Sequence, residues 1–229
     1  MKKIAILLSG NGVFDGSEIH ESVFSLLAID EEGAESFCIA PDIEHHHITN
    51  HITGEITGEK RNVLVEAARI ARGAITALEK VTADDFDALV IPGGFGAALN
   101  LTTWGLEGAK GDINPDVKRI ILECVAKGKP IAALCMGPTV VAKALENSGF
   151  TPILSPGTTE EPSPYNIGEI VGEMQSLGSI VQLKTVREIA VDESLKIISA
   201  PCYMMHARIS EIRANAYMAI KKLMDMIEK

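Results

Sequence analysis

No apolar run in the chain approaches the length needed to cross a membrane. One stretch imitates an export signal, Lys2-Lys3 followed by Ile4 to Leu8. It is too short for a signal-peptide core and runs into Ser9-Gly10-Asn11-Gly12 with no cleavage site. It reads instead as a first buried strand, and the expected location is cytoplasmic. Basic clusters are missing as well. Lys and Arg number 21 against 31 Asp and Glu, a formal net charge of −10, and no cationic grouping exceeds pairs such as Lys2-Lys3 and Lys221-Lys222. Such a chain has no field to draw in a polyphosphate or an anionic bilayer, so neither nucleic acid nor membrane is expected as a partner. Cys38, Cys124, Cys135 and Cys202 form no C-x-x-C pair, which, without an export signal, points to free thiols. Internal repeats and low-complexity linkers are absent.

What is present is an ordinary globular composition. With 229 residues, 46% of them hydrophobic, the chain can bury a core unaided, and a single domain over 1–229 is expected. Short aliphatic runs alternate with helical stretches. Strands are expected at Lys3–Leu8, Glu35–Ala40, Ala88–Ile91, Pro130–Leu134 and Phe150–Leu154, with a weaker one at Ile180–Leu183. Arg187–Val191 and Lys196–Ser199 flank Asp192-Glu193-Ser194 as a hairpin. Helices are expected at Glu18–Asp30, Pro115–Lys127, about Pro138–Asn147 and about Ser210–Ile227, the second with Pro at its start and Gly128 past its end. Strand–helix alternation implies an α/β protein with a mostly parallel sheet covered on both faces. Pro41–Gly54 and Pro156–Pro164 read as loops, and in such sheets ligands sit beyond the carboxyl ends of the strands.

The segment Ile131-Ala132-Ala133-Leu134-Cys135-Met136-Gly137-Pro138 carries a buried strand through a small-residue turn into a helix. Cys135 at that turn would face the unpaired N–H groups and positive dipole of the helix start, which favour a thiolate nucleophile. The geometry parallels a nucleophile elbow, in which the following residue, here Met136, offers its N–H to an oxyanion. The plainer alternative is a small residue filling a strand end. Cys38 and Cys124 read as packing, and Cys202, after Pro201, as a thiol that could approach the site.

Val90-Ile91-Pro92-Gly93-Gly94-Phe95-Gly96 ends another strand. The Walker spacing with its Lys-Ser/Thr is absent, and the first strand is followed by G-x-G alone, so neither a phosphate loop nor a dinucleotide turn fits. A second oxyanion donor at Gly94 fits better than either, beside the alternative of a plain tight turn. Glu18 and Glu21 open the first helix three residues apart and share a face. Acidic residues there complement the helix dipole. If buried against Cys135, one of them could instead act as an acid or base.

Together these elements resemble the class I glutamine-amidotransferase-like superfamily in its ThiJ/PfpI branch. Within it they are most similar to the ElbB-type isoprenoid-biosynthesis family, whose eukaryotic members are mitochondrial. The resemblance rests on Leu8–Glu21, His47-Ile48-Thr49-Asn50-His51, Pro92–Leu101, Leu134–Pro138 and Ser199–Met204, and spans essentially the whole chain. It implies a flavodoxin-like three-layer α/β/α sandwich, usually a homodimer. Cys135 is implied as the elbow cysteine, Glu21 as its acidic partner, and the N–H groups of Gly94 and Met136 as the oxyanion hole. The activity implied is cofactor-free, glutathione-independent glyoxalase chemistry, a lyase reaction in which a small aldehyde such as methylglyoxal becomes lactate.

A glutaminase would need a histidine and a carboxylate in an H-x-E arrangement. After Cys135 the only histidine is His206, and Gly178–Leu183 has none, so release of ammonia from glutamine is not expected. Glu21 would be the base alone. His47 and His51 stand four apart, but Ile48-Thr49-Asn50 is poor helix material and no further ligand type completes a set. No metal is expected. His47 and His51, with Glu18, Gly93 and Cys202, are assigned to the pocket, and His45 and His46 to solvent. The rival to an enzyme is a redox-sensing or regulatory protein, accessory to isoprenoid supply, that uses the same Cys135.

Overall fold

A computed structural model describes residues 1–227. In chain order the elements are β1 (Lys3–Leu7), α1 (Ile19–Glu31), β2 (Glu35–Ala40), β3 (Ile48–Thr49), β4 (Ile56–Thr57), α2 (Val63–Ile70), β5 (Ile75–Ala77), β6 (Ala88–Ile91), α3 (Trp104–Glu107) and α4 (Pro115–Ala126). They continue with β7 (Ile131–Leu134), α5 (Gly137–Leu145), β8 (Ile153–Leu154), α6 (Ile167–Ser176), β9 (Ile180–Val181), β10 (Ala190–Asp192), β11 (Ile197–Ala200) and α7 (Ile209–Ile227). Seven strands form one sheet in the order β10-β11-β7-β6-β1-β2-β5. Every pairing in it is parallel except β10 against β11.

The central strands are wholly apolar because both faces are covered. β6 (Ala-Leu-Val-Ile) and β7 (Ile-Ala-Ala-Leu) are buried at every position. That leaves their carboxyl ends as the exits where a chemical group can stand. From β1 the chain moves to β2 on one side, while β6 and then β7 extend the sheet on the other. The strand order therefore reverses between β1 and β6, and the loops leaving these two strands part there to form a crevice.

Several expectations are redrawn. The strand expected over Phe150–Leu154 shrinks to Ile153–Leu154 and leaves the main sheet to pair in parallel with Ile180–Val181; Pro152 has no N–H to give to a ladder, and Phe150 is exposed. The loop Pro41–Gly54 contains β3, whose Ile48 and Thr49 are buried and pair antiparallel with β4. The hairpin is present with a shorter first arm and a second arm shifted by one residue, closed by Asp192, whose Oδ1 accepts from the backbone N–H groups of Ser194 and Leu195. Helices α2 and α6 and strand β5 were not expected: α2 and α6 are short, and β5 has only three residues.

Candidate active site

Three loops meet at the crevice. The loop after β1 runs into α1, the loop after β6 carries Gly93 and Gly94, and β7 turns at Cys135 into α5. The first two are joined by backbone hydrogen bonds: Glu18 N–H donates to Gly93 O (2.9 Å), Phe95 N–H to Val13 O (2.7 Å) and Gly96 N–H to Gly16 O (2.9 Å). Cys135 N–H donates to Ala200 O (2.9 Å), which joins the elbow to the end of β11. Cys135 has φ +55°, a left-handed conformation for a non-glycine residue. Such strain persists only where the surroundings hold it, and here both flanking elements are packed.

Two glycines make the close approach possible. A Cβ on Gly93 would run into Cys135 Cβ and lie 2.8 Å from both Cys135 Sγ and Glu21 Oε2. Gly94 has φ +92°, and a Cβ there would collide with Gly16 O and Glu18 N. The carboxyl of Glu21 is thus brought beside the sulfur, and the two side chains hydrogen-bond. Its other contacts come from the backbone: Gly93 N–H donates to Oε2 (2.9 Å) and Tyr203 N–H to Oε1 (3.2 Å). The N–H groups of Gly94 and Met136, expected to form an oxyanion hole, face Cys135 Sγ.

The electrostatics differ from the sequence-level expectation of a ready thiolate. Cys135 is 3% exposed and Glu21 not at all. Burial, followed by repulsion from Glu18, pushes Glu21 up from 4.5 to about 8. Burial, then the neighbouring Glu21, pushes the Cys135 thiol well above 9, and the two N–H groups only partly offset this. At neutral pH the pair therefore holds both protons. The helix-start effect is present but weaker than loss of water.

Glu18 caps α1: its Oε2 accepts from Glu21 N–H at 2.7 Å, and burial raises its own carboxyl. Cys202 is fully buried near the pair with φ +45°, and its N–H donates to Asn215 Oδ1 (2.9 Å). Burial, then Glu21, pushes its thiol well above 9. His47 lines a cavity of about 380 Å³ with Phe14, Ile56 and Leu99. His51 is exposed; its Nε2 accepts from Phe14 N–H at 3.2 Å, and its Nδ1 donates to Thr49 O at 3.0 Å. His45, assigned to solvent from the sequence, is 5% exposed; its Nδ1 lies 3.0 Å from Asp15 O, and its Nε2 is buried without a partner. The error has a simple cause: three adjacent histidines give no periodicity from which to tell which one turns inward.

Three contributors were not assigned to the site from the sequence. The backbone of Tyr203 reaches Glu21, Asn215 bridges Cys202 N–H and Glu188 O, and Tyr165 stands over a second cavity of about 330 Å³ beside Met136. His206 is exposed, with its backbone N–H donating to Pro162 O. Among the described residues no group of three or more His, Cys, Asp or Glu is placed to hold a metal ion.

Comparison with known proteins agrees with this architecture. The DJ-1/PfpI family model matches residues 3–151. The ES1 protein homolog, mitochondrial, of Rattus norvegicus is 35% identical over 99% of this chain and 85% of its own length. The human glutamine amidotransferase-like class 1 domain-containing protein 3, mitochondrial, is likewise 35% identical, over 99% of this chain and 84% of its own. A crystal structure of an isoprenoid biosynthesis protein with amidotransferase-like domain from Ehrlichia chaffeensis superposes with a TM-score of 0.89 at 29% identity, covering 99% of both chains. The expected cytoplasmic location is overturned by the curated relatives, which are mitochondrial proteins. The seven-stranded, mostly parallel sheet flanked by helices is the flavodoxin-like arrangement anticipated from the sequence. With the match covering more than half its length, this chain belongs to the DJ-1/PfpI family.

Proposed function

We propose that the Cys135–Glu21 pair is the centre of a cofactor-free glyoxalase acting on a small α-oxoaldehyde. The family includes glyoxalase-like and regulatory members. The observation that carries the choice is a dry carboxyl, hydrogen-bonded to a strained nucleophile position, that holds a proton up to about pH 8. Glu21, the more acidic of the two, loses its proton first, leaving a carboxylate beside the thiol, and that carboxylate takes the thiol proton as the sulfur attacks. The sulfur adds to the aldehyde carbon of methylglyoxal, and its oxygen takes the Glu21 proton, giving a hemithioacetal. The Glu21 carboxylate then removes the proton from that carbon and returns it to the neighbouring carbon through an enediol. The resulting thioester is hydrolysed to lactate, and the thiol is restored. The N–H groups of Gly94 and Met136 support the negative charge first on sulfur and then on the adjoining oxygen.

The regulatory alternative needs a thiolate at rest to react with peroxide. A buried thiol held well above 9 favours it less. The test is lactate formation from methylglyoxal without glutathione, for wild type and Cys135→Ala in parallel. Turnover that disappears with the sulfur supports the reading. A Cys135→Ala protein as active as wild type, or no turnover in either, refutes it.

A further inference from the structure

We propose that the cavity beside Met136 is a binding site for an organic ammonium cation of about the size of choline. The proposal rests on the walls of the cavity and stands whether or not the Cys135–Glu21 pair turns over an aldehyde.

The cavity, about 330 Å³, has aromatic walls and an acidic rim. Phe95 and Tyr165 meet edge to face with centroids 6.0 Å apart, and Trp104, 5% exposed, also lines the cavity. Ring faces carry partial negative charge and attract cations that have little water to lose. The rim comes from α6, where Glu169 and Glu173 stand four residues apart on one face. Like charges at that spacing weaken a helix.

Glu169 has a local reason to be there: it sits in the first turn, and its Oε2 accepts from Asn166 Nδ2 at 3.1 Å. Glu173 has none. It lies in the last turn, at the negative end of the helix dipole, where no basic residue accompanies it. Its carboxylate rests against the Cα of Gly108. Among the described residues, nothing donates a hydrogen bond or an ion pair to that carboxylate. An anion kept at the wrong end of a helix, beside a like charge, in a cavity lined by three aromatic residues and with no ion pair among the described residues, is arranged for a positive ligand.

Two carboxylates and a net charge of −10 disfavour phosphates and carboxylic acids. The rings offer no ligands to a hard metal ion, which asks for six or more oxygens. The chemistry that fits is an alkylated ammonium group, with its methyl or methylene surface on the rings and its charge toward Glu173.

Trp104 is the only tryptophan in the chain, so its fluorescence reports on this cavity. Choline and its neutral isostere 3,3-dimethylbutan-1-ol would be titrated into the intact protein, with calorimetry in parallel. Choline should bind saturably and at least about tenfold more tightly than the alcohol, and the preference should shrink as salt rises. Glu173→Gln, which removes a helix-destabilising charge and should melt no lower than wild type, should abolish most of that preference. Equal affinity for the two compounds overturns the proposal. So does the absence of saturable choline binding by either method, or a Glu173→Gln protein that keeps the full preference.

Discussion

Glu21→Gln asks whether the carboxyl beside Cys135 stays protonated in the folded protein. In an unfolded chain Glu21 would titrate near 4.5, and in the folded protein it titrates near 8. Between those values the folded state keeps a proton that the unfolded state has released. Stability contributed by this group is therefore complete below about pH 4.5 and is lost as pH rises toward 8. A carboxyl displaced this far shifts the folding balance by about 5 kcal/mol over the whole window. Glutamine has the same shape and does not titrate. It has one oxygen, however, where two backbone donors, Gly93 N–H and Tyr203 N–H, each have their own in wild type. One of them will face the amide NH₂, at a cost of about 1–3 kcal/mol at every pH.

The variant should therefore be less stable than wild type near pH 5 and should overtake it before pH 8. Urea unfolding of both proteins at pH 5, 6, 7 and 8 measures this, and taking the difference removes other groups that titrate in the same range. At an m-value of about 3 kcal/mol/M, the midpoint difference should swing by roughly 1–2 M across the series. A difference that stays flat, or moves in wild type's favour as pH rises, would mean that Glu21 is an ordinary ionised carboxylate. The proton-holding role proposed for it would then fall.

Other expectations follow from single contacts. Gly94→Ala places a Cβ against Gly16 O and Glu18 N at a left-handed φ, so it should cost about 3 kcal/mol or more, a fall of roughly 6–12 °C in thermal melting. Asn215→Ala strands the buried N–H of Cys202 and the carbonyl of Glu188, for a loss of about 2–4 kcal/mol by chemical denaturation. Alkylation of Cys135 by iodoacetamide, followed by peptide mass spectrometry, should be slow at pH 7 and should accelerate only above pH 9, because the proton lost first is that of Glu21 and its charge holds the thiol protonated. Fast labelling at pH 6 would contradict that order. Methylglyoxal turnover should rise with pH toward 8 as Glu21 loses its proton, and a profile falling from pH 6 to 8 would exclude the proposed dyad.

The parallel sheet was legible because β6 and β7 are unbroken apolar runs closed by Pro92-Gly93-Gly94 and Cys135-Met136-Gly137. The termini of α4 were legible because Asn114-Pro115 and Gly128 mark them. Elements of two or three residues such as β4 and β5 leave no periodicity to read. The hydrogen bonds that hold Glu21 come from the main chain of Gly93 and Tyr203, and a backbone donor has no residue identity to reveal it. Sequence separation adds to this: Tyr203 lies 182 residues from Glu21. The protonation state was misjudged for a different reason. The helix start beside Cys135 could be read from Gly137-Pro138, but the depth of burial depends on α1, the glycine loop and β11 closing over the sulfur together.

That closure would suit a carboxyl to the proton transfer proposed for Glu21, work usually given to histidine. In water, glutamate is ionised at neutral pH and too weak a base to recover a proton from carbon. Burial and the adjoining Glu18 move it to about 8, into the range where a group can both give and take a proton near neutrality. Backbone N–H groups from Gly93 and Tyr203 hold it in place without adding full charge. A histidine in that position would be moved the opposite way by the same dryness, toward the neutral form, and could not lend its proton to an aldehyde oxygen so readily. Substituting Glu21→His should therefore fail to restore the methylglyoxal turnover lost in Glu21→Gln. Rescue by histidine would show that a base of any type suffices and that burial of the carboxyl is incidental to the chemistry.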